Sequence, residues 1–193
     1  MKSLSILIPS LHKRRSSLDR LLRSLYAQIL TLPSDYAALV EVITDVDDKE
    51  VTTGEKRNRL LNRALKDYIV FIDDDDHVYP NYVRLILDAI QSGVDCVATC
   101  GHYSENGGAL ILWKLSKRFQ NENKHDGQRL VFYRKANHLT PVKRELALKA
   151  KFPHISNAED KAYSEALNPY LNTETEITEP IYHYAYLTYN KEY

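Results

Sequence analysis

Tyr68-Ile69-Val70-Phe71-Ile72-Asp73-Asp74-Asp75-Asp76 is the stretch on which the reading of this chain turns. A short apolar run bounded by polar residues reads as a buried strand. Four carboxylates follow it directly. In an open α/β sheet, ligands bind beyond the carboxyl ends of the strands. Adjacent carboxylates there repel one another unless a cation compensates. Hard oxygen donors suit Mg²⁺ or Mn²⁺, and those ions suit diphosphates. The competing reading is a solvated acidic loop in which Asp76 caps the next helix.

Working outward, the segments alternate. Ser5-Ile6-Leu7-Ile8-Pro9 is a first buried strand stopped by proline. Ser16 and Ser17 are N-cap candidates for a helix carrying Leu18, Leu21, Leu22, Leu25 and Ile29 at helical spacing. Leu39 to Thr44 reads as a strand ending at Asp45, and Glu55 to Lys66 as a helix. After the aspartates, Pro80 opens a helix that Gly93 closes, and Val94 to Cys100 is a further strand. This β-α-β-α-β-α-β order predicts an α/β fold with a mainly parallel, Rossmann-like sheet flanked by helices.

The second half changes character. Asn106-Gly107 marks a hairpin leading into Ala109 to Trp113. Lys114 to Gln128 reads as a polar loop or mobile flap, Leu130 to Tyr133 as a strand, Val142 to Ala150 and Asp160 to Leu167 as helices, and Ile177 to Leu187 as a late strand. The expectation is a single domain over 1–193. Residues 1–100 would form one half and 101–193 a smaller cap of β-hairpin and helices.

Bulk properties narrow the field. The 193 residues are 44% hydrophobic and 27% charged, ordinary for a globular protein. Lys plus Arg and Asp plus Glu are 26 each, so no net charge draws the chain to nucleic acid or anionic lipid. Cys96 and Cys100 lie four apart on one strand, too far for a disulfide, and read as buried thiols of a reducing compartment. No apolar stretch approaches the roughly 18–20 residues of a membrane span. The first residues are too short and too interrupted for a signal peptide. A cytoplasmic location is expected.

Other residues gather at the same sheet edge. A carboxylate at Asp45 could accept hydrogen bonds from a nucleobase or ribose, or could be a turn residue. Gly54-Glu55-Lys56-Arg57-Asn58 opens a helix whose N-terminus and cations favour an anionic or carbonyl-bearing ligand. Taken in order, Ile8-Pro9, Asp45, Gly54-x-x-Arg57-Asn58, Phe71-Ile72-Asp73-x-Asp75-Asp76 and Ala158-Glu159-Asp160 resemble glycosyltransferase family 2, with the GT-A fold. The resemblance covers roughly residues 3 to 187. The Gly-Glu-Lys-Arg-Asn and four-aspartate variants are similar to small bacteriophage and bacterial glycosyltransferases, which implies a nucleotide-sugar-binding half over 1–100, an acceptor-side half over 101–193 and, if phage-encoded, the host cytoplasm as location.

The resemblance implies a metal-dependent, inverting transfer from a UDP-sugar to an acceptor hydroxyl. In that case Pro9 and Ser10 border the nucleotide, Asp45 and Arg57 read the uracil, and Asp73 and Asp74 belong to the nucleotide-sugar site. Asp75 binds Mn²⁺ or Mg²⁺, and Asp160 is the general base. Glu159 belongs to the acceptor-side motif. His138 reads as an acceptor contact or a structural residue. His183 is a late metal ligand or an ordinary strand histidine. The acceptor would be a glycan, or a hydroxylated or hydroxymethylated base in phage DNA. After Pro9 the family pattern has an Asn, whereas here Leu11-His12-Lys13-Arg14-Arg15 follows. Those bases could meet phosphate or form an exposed charged loop. Two other classes are a nucleotidyltransferase, which would want a glycine-rich first loop that is missing here, and a non-catalytic nucleotide-sugar-binding module.

Overall fold

A computed structural model describes residues 1–188. The chain opens with β1 (Leu4–Leu11), a 3₁₀ turn (His12–Arg14), α1 (Arg15–Leu30), α2 (Ser34–Ala37), β2 (Val40–Asp47), α3 (Thr53–Arg63) and β3 (Tyr68–Phe71). Then come β4 (His77–Val78), α4 (Tyr82–Ile90), β5 (Cys96–Glu105), β6 (Ile111–Leu115), β7 (Glu122–Asp126) and β8 (Arg129–Arg134). The described chain ends with β9 (Val142–Lys143), α5 (Arg144–Ala150), α6 (Glu159–Leu167), a 3₁₀ turn (Asn168–Tyr170) and β10 (Glu174–Tyr186).

The strands form one sheet, ordered β2-β1-β3-β9-β5-β6-β8-β7, with β10 beside β5 and β4. β1 runs parallel to both β2 and β3. Successive side chains on a strand point to opposite faces, and that period builds two cores. Leu4, Ile6 and Ile8 with Val70 and Ile72 pack against Leu18, Leu21 and Leu25 of α1 and Val83, Ile86 and Ile90 of α4. Leu7, Ile69 and Phe71 face the other way, onto Leu60 and Leu61 of α3, Leu146 of α5 and Tyr163 and Leu167 of α6. The α/β architecture and the mostly parallel central sheet flanked by helices agree with the expectation.

Several boundaries differ. Residues 142 and 143 form a strand, not the first turn of a helix. Buried Val142 pairs with Ile69 of β3 and Cys96 of β5, so a segment from the second half closes the gap between two strands of the first. The polar run 114–128 is not all loop: residues 122–126 form the exposed edge strand β7. Its charges are consistent with an edge that must not recruit another chain. β2 continues through Asp45 to Asp47. Helix α1 begins at Arg15, so Ser16 and Ser17 lie inside it, and its N-cap makes no side-chain hydrogen bond. The hairpin turn is as expected, with positive φ at both Asn106 and Gly107 (50° and 73°).

Asp95 staples the cap to the sheet. Its carboxylate accepts hydrogen bonds from Lys143 Nζ at 3.0 Å and from the backbone N–H groups of Asn172 and Thr173 at 2.9 and 3.0 Å. Burial opposes ionisation, but the Lys143 ammonium and the two N–H groups prevail and bring the Asp95 carboxyl down to about 2. A depressed native pKa stabilises the fold above the unfolded value, near 4, and the contribution fades as pH falls toward 2. Allowing for solvent screening, it is about 1 kcal/mol. The stability difference between wild type and Asp95→Asn is therefore expected to shrink between about pH 4 and pH 2 in denaturant titrations. A pH-independent difference would remove this ionic role.

Candidate active site

The site is organised by the first turns of α3. Thr52 caps the helix, its side chain accepting from Glu55 N at 3.2 Å. Every distinctive residue of Gly54-Glu55-Lys56-Arg57-Asn58 except Glu55 then reaches another segment. Gly54 N donates to Ile155 O at 3.0 Å, and a Cβ on Gly54 would lie 1.8 Å from Pro153 O. Glycine is needed there because the two backbones touch. Gly54→Ala is expected to cost roughly 3 kcal/mol, at or above the upper end for overpacking, measured as a loss of thermal stability together with the site. Asn58 clasps Phe152 with both ends of its amide, 2.8 Å to the carbonyl and 2.9 Å from the N–H. Lys56, almost fully buried, donates to Ser10 O at 2.6 Å and pairs with Asp47 at the end of β2.

Arg57 is the centre. Nη1 donates to Glu159 Oε1 at 2.8 Å and Nη2 to Asp73 Oδ1 at 2.7 Å. Its guanidinium lies over Phe152, 5.5 Å from the ring centroid. His138 Nε2 is 3.3 Å from the other Asp73 oxygen. Burial works against the Asp73 charge, but Arg57 and His138 outweigh it and hold this carboxyl well below the ordinary range. Burial pushes Glu159 upward despite Arg57. Arg57 Nε and His138 Nδ1 are buried without a hydrogen-bond partner among the described residues.

The four aspartates have four different surroundings. Asp73 belongs to Arg57 and His138. Asp74 is buried and accepts from Ser10 Oγ at 2.5 Å and Arg14 Nη1 at 2.9 Å. Asp76, also buried, accepts from Tyr182 Oη at 2.7 Å and Ala185 N at 3.3 Å. It therefore ties the aspartate turn to β10, while the N-cap of α4 is Asn81. Asp75 keeps its side chain 37% exposed, and its ion-pair partner among the described residues is the Arg14 guanidinium, at 3.2 Å. Burial raises the Asp75 carboxyl, and Asp73 and Asp74 raise it further against the pull of Arg14. From α1, Arg20 Nη2 donates to the carbonyls of Asp75 and Asp76, both at 2.9 Å, and so fixes the turn.

A cleft of about 740 Å³ opens beside this turn. Its lining includes Pro9, Ser10, Lys13, Arg14 and Lys56, the aspartates Asp73, Asp74 and Asp75, and Thr52, Ser156, Asn157, Tyr184 and Tyr186. Asp45, Arg57, His138, Glu159, Asp160 and His183 do not line it. Asp45 sits on β2 opposite Pro9, two residues before the buried Asp47–Lys56 pair. Asp160 lies in the first turn of α6, partly exposed, with Oδ1 accepting from Lys161 N at 2.7 Å. His138 is 6% exposed beneath Asp73.

His183 falls on the opposite face of β10 from Tyr182 and Tyr184. Its strand neighbours are His77 and His102, and its Nε2 lies 2.8 Å from Ser104 Oγ. Burial lowers its pKa, so the imidazole is neutral at pH 7. Among the described residues, no three His, Cys, Asp or Glu side chains converge as a metal-ligand set. No helix of the described residues is long and apolar enough to cross a membrane.

The sequence carried no site expectation for Arg20, Asp47, Tyr182 or Tyr184, whereas Arg14 belongs to the basic run expected either to meet phosphate or to form an exposed loop. The signal for Arg14 and Lys56 was present, as cations beside expected ligand-binding turns. Nothing local marked Tyr182 among the many tyrosines.

A parallel sheet whose carboxyl edge holds a carboxylate turn facing cations, capped by a second α+β half, is the arrangement of GT-A nucleotide-sugar enzymes. The chain belongs to glycosyltransferase family 2: the model of "Glycosyl transferase family 2" matches residues 45–146, just over half of the chain. It is a family of sugar-transferring enzymes.

Solved structures agree on the fold. The Staphylococcus aureus TarS 1-349 complex with UDP-GlcNAc superposes with a TM-score of 0.68 at 15% identity, covering 95% of this chain and 58% of that one. TarS 1-349 with UDP gives 0.67 at 17%, covering 95% and 60%. A further S. aureus TarS structure gives 0.67 at 15%, covering 95% and 36%. The chain thus spans less than two thirds of each TarS chain. No curated protein sequence matches it significantly.

Proposed function

We propose that this enzyme transfers a sugar from a UDP-sugar to an acceptor hydroxyl, with inversion, assisted by Mn²⁺ or Mg²⁺. The observation that carries the reading is the unequal sorting of the aspartates. Asp74 and Asp76 are buried, Asp73 is 32% exposed but held by buried Arg57 and His138, and Asp75, 37% exposed, is paired only through the exposed Arg14 at a cation-lined cleft of nucleotide-sugar size. The uridine assignment draws support from the TarS complexes, which hold UDP and UDP-GlcNAc.

The residues fit a divalent ion. Mg²⁺ is commonly held by one or two carboxylates plus substrate phosphates, not by a full protein cage. Asp75, crowded by Asp73 and Asp74, is a carboxylate that a cation would relieve. When bound, the ion neutralises charge on the departing diphosphate. Pro9 and Ser10 border the nucleotide, and Lys56 adds positive charge to the same cleft. Asp45 and Arg57 complete the nucleotide side. For Arg57 this means acting through Asp73, which it holds ionised.

Asp160 takes the proton from the acceptor hydroxyl. The oxygen forms a bond to the anomeric carbon as the bond to the diphosphate breaks, and the diphosphate leaves with the electron pair. Glu159 and His138 support this centre through Arg57 and Asp73, whereas His183, turned to the other face of β10 against Ser104, is not assigned to the metal. The acceptor that fits best is a glycan, because the neutral chain supplies no strong attraction for DNA. A modified base of phage DNA would require salt-sensitive DNA binding. Residues 1–193 act as one catalytic unit in this reading.

The test is thermal shift with nucleotide sugars and Mn²⁺ or Mg²⁺. Uridine nucleotides are expected to raise the melting temperature of wild type and to do so much less for Asp75→Ala. At ligand 100 times above Kd the stabilisation is about 2.7 kcal/mol. Equal shifts in the two proteins would refute Asp75 as the metal residue, and no shift with any uridine nucleotide would refute the donor.

A further inference from the structure

The basic run His12-Lys13-Arg14-Arg15 has no task in the reading above, yet it places a guanidinium on the aspartate turn. Arg14 Nη1 stands 2.9 Å from Asp74 Oδ1 and 3.2 Å from Asp75 Oδ2. One nitrogen thus serves two carboxylates. The side chain is 40% exposed and lines the cleft. It stems from a three-residue 3₁₀ turn whose start has no side-chain cap. The partners of Asp73 and Asp76, in contrast, are buried side chains on regular elements: Arg57 on α3 and Tyr182 on β10.

A divalent ion at Asp75 would meet this guanidinium at once. Two cations cannot share one carboxylate without repulsion. Arg14 still has Asp74, which is buried and also bound to Ser10. It can therefore give up Asp75 without leaving the turn. A diphosphate arriving with the ion brings the oxygens that a planar guanidinium binds best, in pairs. Arg14, Asp74 and Asp75 all line the cleft in which both would bind.

We propose that Arg14 is an exchangeable counter-cation. In the donor-free protein it neutralises Asp75. When a divalent ion and a nucleoside diphosphate bind together, it keeps Asp74 and passes from Asp75 to the diphosphate. The inference rests on the donor and metal reading given above. It adds that the chain carries its own placeholder for the metal and recycles it as a leaving-group contact. The consequence is thermodynamic coupling. Metal alone must evict Arg14 and gains little, while metal with diphosphate gives the guanidinium a new partner. By linkage each ligand strengthens the other by the same factor, typically 5- to 150-fold.

The experiment measures two affinities on the whole chain. Mn²⁺ binding is followed by electron paramagnetic resonance with and without UDP, and UDP binding by calorimetry with and without Mn²⁺. In wild type, UDP is expected to tighten Mn²⁺ at least about 10-fold, within the usual coupling range. In Arg14→Gln, Mn²⁺ alone binds roughly 5-fold tighter, UDP with Mn²⁺ binds roughly 10-fold weaker, and the coupling collapses toward unity. Arg14→Lys keeps the charge and restores weak binding of Mn²⁺ alone, but recovers UDP affinity only in part, because an ammonium lacks the paired donors. Unchanged or weaker Mn²⁺ binding in Arg14→Gln overturns the exchange, as does unchanged UDP affinity. If wild type binds no UDP under any condition, the donor reading itself has failed. Wild-type UDP binding without an Arg14 effect sinks the exchange alone.

Discussion

Arg57→Ala is expected to destabilise the protein by about 3–5 kcal/mol, the cost of leaving a buried ion pair with one partner missing. For a chain of this size that is roughly 10 °C in melting temperature. The reason is specific. Arg57 joins α3 to Asp73 at the end of β3 and to Glu159 at the start of α6, and its side chain is 4% exposed. Removing it leaves two carboxylates facing each other across the cavity, with only His138 near Asp73. The ionised state of Asp73 is then no longer supported, so donor binding falls as well. Arg57→Lys is expected to recover part of the stability, because an ammonium can satisfy one carboxylate but not fork between two. A denaturant series reads both effects. If Arg57→Ala unfolds at the wild-type midpoint, the network is not what joins the halves.

The second large effect is on turnover. Asp160→Asn is expected to lower kcat by about 10²–10⁴, the usual contribution of a positioned general base, while leaving the uridine-nucleotide thermal shift in place. The structure favours a clean outcome. Asp160 is partly exposed, and its one hydrogen bond, from Lys161 N, can be accepted equally by an amide oxygen. Its neighbour Glu159 is different. Glu159 is buried on Arg57, so Glu159→Gln is expected to reduce stability together with activity. The contrast separates base from support. Wild-type turnover by Asp160→Asn would remove it from that role.

Much of the nucleotide-side architecture was legible because it obeys local rules. Ile6, Leu7 and Ile8 are continuous apolar residues, as a strand covered on both faces requires. Leu18, Leu21 and Leu25 recur at helical spacing, and all three are buried. The cap was less legible. Val142 and Lys143 precede a helical pattern and were expected to belong to it, but Val142 pairs with Ile69 and Cys96, more than 40 positions away. Edge strand β7 has almost no buried side chain, so no apolar period announced it.

The aspartate run divides what is local from what is not. That a carboxylate turn stands at the open edge of a sheet follows from Tyr68 to Ile72 being buried and ending where they do. Which aspartate does what could not follow, because the four side chains are chemically identical and adjacent. Their roles were set by partners brought from Ser10, Arg14, Arg57, His138 and Tyr182, separated from them by as many as 109 residues. Sequence alone determined the period of burial, and with it the sheet edge and its charge. The tertiary structure decided the ownership of each charge, because electrostatic partnership falls off with distance in space and takes no account of distance along the chain.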